Sequence, residues 1–427
     1  MRTVAVIAEY NPFHNGHLYQ LECAKRRTGA DRAVVLMCGD YTQRGEPAII
    51  DKYSRAESAL RAGADLVIMM PVSIATSGAQ MYADGCIKIL DSLGCIDFLS
   101  FGCECGNIGQ LKIISDFFMD PPEGYLRYVN QKISEGMTYA AARQAALVMS
   151  EKDAGSDLID ILVIESPNNI LGIEYLKALA ENDSRIEPSP VTRMGSGHDE
   201  ENKAHDGFCE MLGRNGEHVR LRTASASAIR RSIGEGRIQD IKDYVPEESY
   251  RMIVDSGGSC PVNADDYSLL LHDRIVNHTS EELSEYYECS PELADRIKKR
   301  EVGFTSFTGF AQLLKTKEMT YSRISRVLMH IVLGIKETPK RPEYIRVLGF
   351  RESAGDLMHE ISLRSAVPMI TKAADAEAKL SPEAYSFFLK DISAAQTYDN
   401  VIMEKFGTRM TDEYRKQFPI IRKDISL

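Results

Sequence analysis

Over the first hundred residues, short continuous apolar runs alternate with longer amphipathic ones. Runs near residues 3–8, 33–38, 65–70 and 96–101 predict strands, and the helical periodicity between them predicts helices near 16–29, 51–62 and 77–92. Segments such as Ala33-Val34-Val35-Leu36-Met37 and Leu66-Val67-Ile68-Met69-Met70 show no polar alternation. Strands of that kind are buried on both faces, as in a parallel sheet covered by crossover helices. The pattern predicts a doubly wound, mostly parallel α/β domain whose ligand lies beyond the carboxyl ends of the strands.

Residues 106–160 read as a helical excursion from that sheet, with Leu111, Ile114, Phe117 and Phe118 at helical spacing. Ile161 to Ile164 resembles a further strand, and Ser166-Pro167-Asn168-Asn169 a cap and turn before a helix from Ile170 to Ala180. The small polar stretch Asp255-Ser256-Gly257-Gly258-Ser259 reads as a linker or loop, and the chain beyond it as mainly helical. The expected division is a nucleotide-binding α/β domain over 1–235 and a mainly helical C-terminal domain over 236–427.

Composition narrows the class. The chain of 427 residues carries 51 Lys and Arg against 62 Asp and Glu, a net charge of −11, which argues against indiscriminate nucleic-acid binding but not against a local basic face. Nine cysteines include no Cys-x-x-Cys pair, so neither a zinc ribbon nor a disulfide framework is expected and a reducing cytoplasm fits best. No segment approaches the roughly twenty apolar residues that span a bilayer, so membrane insertion is not expected.

The candidate chemistry lies in Pro12-Phe13-His14-Asn15-Gly16-His17, between the first strand and the first helix. A His-x-Gly-His at such a junction brings two rings and unpaired helix N–H groups to one polyphosphate. Displacement at a phosphorus needs positioning and charge stabilisation, which His14 and His17 can supply, while Gly16 lets the ligand approach the backbone. Further along, Ala224-Ser225-Ala226-Ser227-Ala228-Ile229-Arg230 sets two hydroxyls, Ser225 and Ser227, at a helix start, with Arg230 after them. That group reads either as an ordinary N-cap or as a seat for the outer phosphates. Asn168 and Asn169 offer amides to a base or ribose, or cap their helix. Arg193 is a candidate for a phosphate or carboxylate, as are Arg44, Lys52 and Arg55; the simpler reading of Arg44 is an ion pair with Glu46. Cys103-Glu104-Cys105 and His198-Asp199 are too sparse to hold a metal, and no metal site is assigned. In the C-terminal half, Lys315, Lys317, Arg323, Arg326, Lys340 and Arg341 form a basic set suited to RNA phosphates, or to a merely solvated surface.

Together these residues resemble the bacterial tRNA(Met) cytidine acetate ligase family, a branch of the HIGH-type nucleotidyltransferases. The resemblance is carried in order by Glu9-Tyr10-Asn11-Pro12-Phe13-His14-Asn15-Gly16-His17, Gln43-Arg44-Gly45-Glu46-Pro47, Phe101-Gly102 with Glu104, Pro167-Asn168-Asn169-Ile170-Leu171-Gly172 and Tyr344-Ile345-Arg346-Val347-Leu348-Gly349-Phe350. It implies a sheet of the HIGH type and a two-step reaction. Acetate and ATP, with Mg, would give acetyl-adenylate and pyrophosphate, and the acetyl group would pass to N4 of the wobble cytidine of elongator tRNA(Met). The family's ATP contacts map onto Ile7, Ala8, Glu9, Tyr10, Asn11, Pro12, Phe13, His14, Asn15, Gly16, His17, Leu18, Tyr19 and Gln20, then Gly102, one of Asn168 or Asn169 with Asn168 favoured, and Arg193. The chain departs from the family where Met69-Met70-Pro71 replaces Glu-Leu-Pro, where Cys103 replaces a serine, and where no tyrosine precedes His198-Asp199. The alternatives are a small-molecule adenylyltransferase, acting on phosphopantetheine or nicotinate mononucleotide, and a tRNA-binding protein with an inactive nucleotide fold. Oligomeric state is not legible in the sequence.

Overall fold

In the computed structural model, residues 1–153, 159–193, 207–212, 218–255 and 261–422 are described. Four strands stand where the apolar runs predict them: β1 (Thr3–Ala8), β2 (Arg32–Cys38), β3 (Leu66–Met70) and β4 (Phe98–Cys103). Between them run α1 (Asn15–Thr28), α2 (Lys52–Ala62), the short α3 (Val72–Ala75) and α4 (Ala79–Ser92). The excursion is helical, as α5 (Ile108–Met119), α6 (Tyr125–Ser134) and α7 (Tyr139–Asp153). It returns through α8 (Pro167–Glu181), β5 (Glu187–Thr192), the hairpin β6 (Gly207–Leu212) and β7 (His218–Thr223), and then α9 (Ala226–Gly234) and α10 (Glu247–Asp255).

The main sheet runs β10-β8-β3-β2-β1-β4-β5, with the two-residue β9 (Met369–Ile370) also on β8 (Ile345–Arg351) and β10 (Ile420–Ile421) at the edge. β1 pairs in parallel with both β2 and β4, so strand order reverses at β1. In a doubly wound sheet the crevice at that reversal, beyond the strand carboxyl ends, is where a ligand sits. The turn from β1 into α1 opens onto it. Both faces are covered: Val4, Val6, Val35, Met37 and Val67 pack on the α1/α2 side, and Ala5, Val34, Leu36 and Ile68 on the α4/α8 side.

One expectation fails for an identifiable reason. Ile161–Glu165 is a 3₁₀ turn and not a strand. Asp160 accepts a hydrogen bond from Leu162 N–H and starts the turn, and the place beside β4 is taken by β5, which carries Pro188 and Pro190 and pairs with Phe98–Cys103. The described chain past residue 255 is mainly helical, as expected, with a return to the sheet. It builds α11 (Ser268–Asn277), α12 (Ser280–Leu283), α13 (Pro291–Arg300), α14 (Phe307–Leu314) and α15 (Tyr321–Leu333), and then returns to the sheet as β8, antiparallel to β3. After α16 (Gly355–Arg364), β9 and α17 (Ala376–Lys379), the long α18 (Pro382–Phe406) leads to β10. The Ser256–Ser259 linker reading and His198-Asp199 lie outside the described residues.

A buried charge cluster fastens this return. Lys52 Nζ lies 2.6 Å from Asp40 Oδ2 and 2.6 Å from Glu413 Oε1, and Glu413 also pairs with Arg346 and accepts from Tyr53 Oη at 3.0 Å. Burial alone would lower the Lys52 pKa, but the two carboxylates hold it above its ordinary value. For Glu413, burial pushes upward and the Lys52 and Arg346 cations win, leaving it at about 2.

Candidate active site

His14 is the N-cap of α1, and its side chain takes part in a reciprocal capping box. Gly16 N–H donates to His14 Nδ1 at 3.1 Å, and His14 N–H donates to His17 Nδ1 at 3.3 Å. A neutral imidazole whose Nδ1 accepts a hydrogen bond carries its proton on Nε2. Both rings are therefore fixed as Nε2–H donors, and they stack with centroids 3.6 Å apart. Burial, with the positive charges of Arg193 and Arg230, lowers the His14 pKa to about 3. Burial and the neighbouring His14 and Arg193 take His17 well below its ordinary value too. The pair is neutral at physiological pH and can donate two hydrogen bonds without adding charge.

Packing beneath the rings sets their direction. Tyr10 and Phe13, both 1% exposed, meet each other and the His17 ring edge-on or tilted, with centroids 4.7 to 5.7 Å apart. Asn11 Oδ1 accepts from Ile49 N–H at 2.8 Å, and Asn15 Nδ2 donates to the carbonyls of Arg222 and Asp243 at 2.8 and 2.9 Å. The helix start is thus tied to β7 and to the segment after α9. Arg230 Nη1 donates to Asn11 O at 2.8 Å and its Nη2 reaches Ser227 Oγ at 3.2 Å, while Ser225 Oγ caps α9 by accepting from Ala228 N–H.

Across the crevice, a Cβ on Gly102 would stand 3.3 Å from Arg193 Cγ, so the arginine stem lies over that glycine. Asn169 is buried and its Oδ1 accepts from Glu104 N–H and Cys105 N–H at 2.9 and 3.2 Å. Asn168 Nδ2 donates to Glu104 Oε1 at 2.5 Å, and Asn169 N–H donates to Glu104 Oε2 at 3.1 Å. Both asparagines thereby clamp the loop after β4 to the start of α8. The sequence offered no sign of Glu104 as their common partner.

Lys52 and Arg55 are engaged by protein groups. Lys52 belongs to the buried cluster, and Arg55, 0% exposed, donates to the carbonyls of Glu9 at 2.6 Å, Cys38 at 3.3 Å, Ile50 at 3.0 Å and Gly39. It ties the ends of β1 and β2 together. The Arg44–Glu46 ion pair is also absent among the described residues. Arg44 instead lines a cleft of about 620 Å³ with Gln43, Glu46, Tyr321, Lys315, Lys317 and Arg326.

Of the predicted basic set, Lys315, Lys317 and Arg326 meet in this cleft, and Arg326 Nε is held by Glu288 Oε2 at 2.8 Å. Arg323 does not line it. Lys340 and Arg341 lie elsewhere, beside α4, where Lys88 Nζ reaches Lys340 O at 3.4 Å and Arg341 pairs with Glu343. Among the described residues, no group of three or more His, Cys, Asp or Glu is arranged to hold a metal ion, and no helix is long and apolar enough to cross a membrane.

Residues 1–413 match the HIGH Nucleotidyl Transferase family. The tRNA(Met) cytidine acetate ligase of a Thermoanaerobacter species is 36% identical over 93% of this chain and 95% of its own length. That of Caldanaerobacter subterraneus is 37% identical over the same shares. The crystal structure of Thermotoga maritima TmcAL bound with α-thio ATP superposes with a TM-score of 0.85 at 26% identity, covering 99% of this chain and all of that one.

Proposed function

The chain belongs to the HIGH Nucleotidyl Transferase family and, within it, to the tRNA(Met) cytidine acetate ligases, and from that premise we propose an ATP-dependent acetylation in two steps. Acetate displaces pyrophosphate from the α-phosphorus of ATP, and the acetyl group of the resulting acetyl-adenylate passes to N4 of the wobble cytidine of elongator tRNA(Met). A carboxylate is a poor acyl donor and a cytosine amine a weak nucleophile, so a mixed anhydride has to precede transfer.

One observation carries the reading: the His14 and His17 rings are locked as parallel Nε2–H donors at the start of α1. Fixed donors aimed at the phosphoryl oxygens stabilise charge as it develops and need no reorganisation. Arg193 and Arg230, whose fields reach His14, supply the positive charge that the neutral rings lack. Mg²⁺ is expected to arrive on the triphosphate oxygens. Lys315, Lys317 and Arg44 line the adjoining cleft, where RNA phosphates would anchor the substrate.

The test is pyrophosphate exchange into ATP, followed by mass analysis of tRNA(Met). We expect exchange that requires acetate and one added acetyl group on the tRNA; exchange that instead requires a nucleotide-like acceptor would favour the small-molecule adenylyltransferase. His17→Ala should lower exchange by about a hundredfold or more, the usual loss when a fixed donor to a developing anion is removed.

A further inference from the structure

The second step has to dispose of a proton, and the two histidines cannot take it. Their Nδ1 atoms accept backbone N–H groups and their Nε2 atoms carry hydrogen, so no ring lone pair faces the crevice. The nearby acids are mostly committed. Glu104 holds Asn168 and Asn169, Asp40 pairs with Lys52, and Glu9 Oε1 accepts from Gln43 N–H at 3.0 Å.

Glu46 differs. Among the described residues it is the single carboxylate lining the cleft, beside Arg44, Lys315, Lys317 and Arg326. Its field reaches Arg230 and Glu9 at the ATP end and Tyr321 at the other. Despite these neighbours, its carboxylate makes no ion pair or side-chain hydrogen bond among the described residues. Its backbone, by contrast, is rigid. Thr42 N–H donates to Glu46 O at 2.9 Å, Gly45 N–H to Thr42 O at 2.9 Å, and Ala48 N–H to Asp40 O at 2.8 Å. Ser325 Oγ on α15 then fixes the turn through Gly45 O at 3.1 Å. A fixed loop that presents an unengaged acid between an ATP site and a basic cleft is placed for proton transfer.

We propose that Glu46 is the general base of acetyl transfer, which rests on the two-step reading above. As the cytosine N4 attacks the acetyl carbon, an N–C bond forms, the C–O bond to the adenylate phosphate breaks, AMP leaves with that electron pair, and one N4 proton passes to a Glu46 carboxylate oxygen. Burial holds the Glu46 pKa above its ordinary value, against the opposing pull of Arg230 and Arg44 and with help from Glu9, which makes it a stronger proton acceptor than an ordinary surface carboxylate.

The experiment compares wild type, Glu46→Gln and Glu46→Asp in two assays: acetate-dependent pyrophosphate exchange, and single-turnover acetyl transfer to tRNA(Met) as a function of pH. We expect the ratio of transfer to exchange to fall about a hundredfold in Glu46→Gln, with partial recovery in Glu46→Asp. The acid limb of the wild-type transfer profile should vanish in the glutamine variant. An unchanged ratio, or an acid limb that persists without the carboxylate, overturns the assignment. Exchange in the same preparation reports folding and the first step. A wild type that transfers no acetyl group would refute the two-step reading itself, a separate outcome.

Discussion

His14 and His17 act as one unit because each Nδ1 is consumed by a backbone amide of the same turn. The unit has a consequence for stability. In the unfolded chain an imidazole takes up a proton near pH 6.5, whereas folded His14 stays neutral until about pH 3. The folded pKa is depressed, so the unfolded state binds more protons between those values and stability falls as the medium is acidified below about 6.5. The slope approaches about 1.4 kcal/mol per pH unit for one ring. Urea midpoints measured from pH 7.5 to 4.5 should fall more steeply for wild type than for His14→Asn, which supplies a side-chain capping acceptor and removes the titration. The site's donors were legible from residue type and spacing, since His-x-Gly-His after an apolar run is a compact signal. Their tautomers were not, because these depend on backbone hydrogens whose positions follow from the capping geometry. Nor was the role of Arg55, which looks like a ligand-binding cation on paper and is in fact spent on four carbonyls.

At the scale of elements, the loop between β2 and α2 joins the nucleotide sheet to the helical half. Gly45 has φ +72°, a conformation L side chains rarely adopt, and a Cβ there would run into the backbone of Ser325 and Arg326 on α15. Gly45→Ala is therefore expected to cost at least about 1–3 kcal/mol, read as a lowered denaturation midpoint, and to reduce acetyl transfer more than acetate-dependent exchange because Glu46 is its neighbour. The strands and helices of the first hundred residues were predictable because each is buried by its own crossover partner within the next few dozen positions. β5 and β8 escaped prediction for the opposite reason. Pro188 and Pro190 mask an edge strand, and Ile345–Arg351 acquires its meaning only against β3, nearly three hundred residues earlier.

For the whole molecule, the sheet draws strands from both halves, and the helical half supplies one wall of the cleft. RNA affinity should show this division of labour. Lys315→Ala with Lys317→Ala should weaken tRNA binding and flatten its dependence on log salt by about 1.4, taking roughly 0.7 per phosphate contact, while exchange persists. A double variant that lost exchange and kept its RNA affinity would place these lysines in the first step instead.

The buried cluster around Glu413 also sets an order of events during translation. Lys52 sits 3% exposed with its ammonium between Asp40 and Glu413, and β3 has β8 and then β10 on its outer side. A nascent chain that has not yet released residue 413 from the ribosome lacks the ion-pair partner of Arg346 and one of the two carboxylates paired with Lys52. The sheet that frames the nucleotide crevice lacks this clamp until residue 413 has emerged, so shorter chains are poorly equipped to form a reactive anhydride.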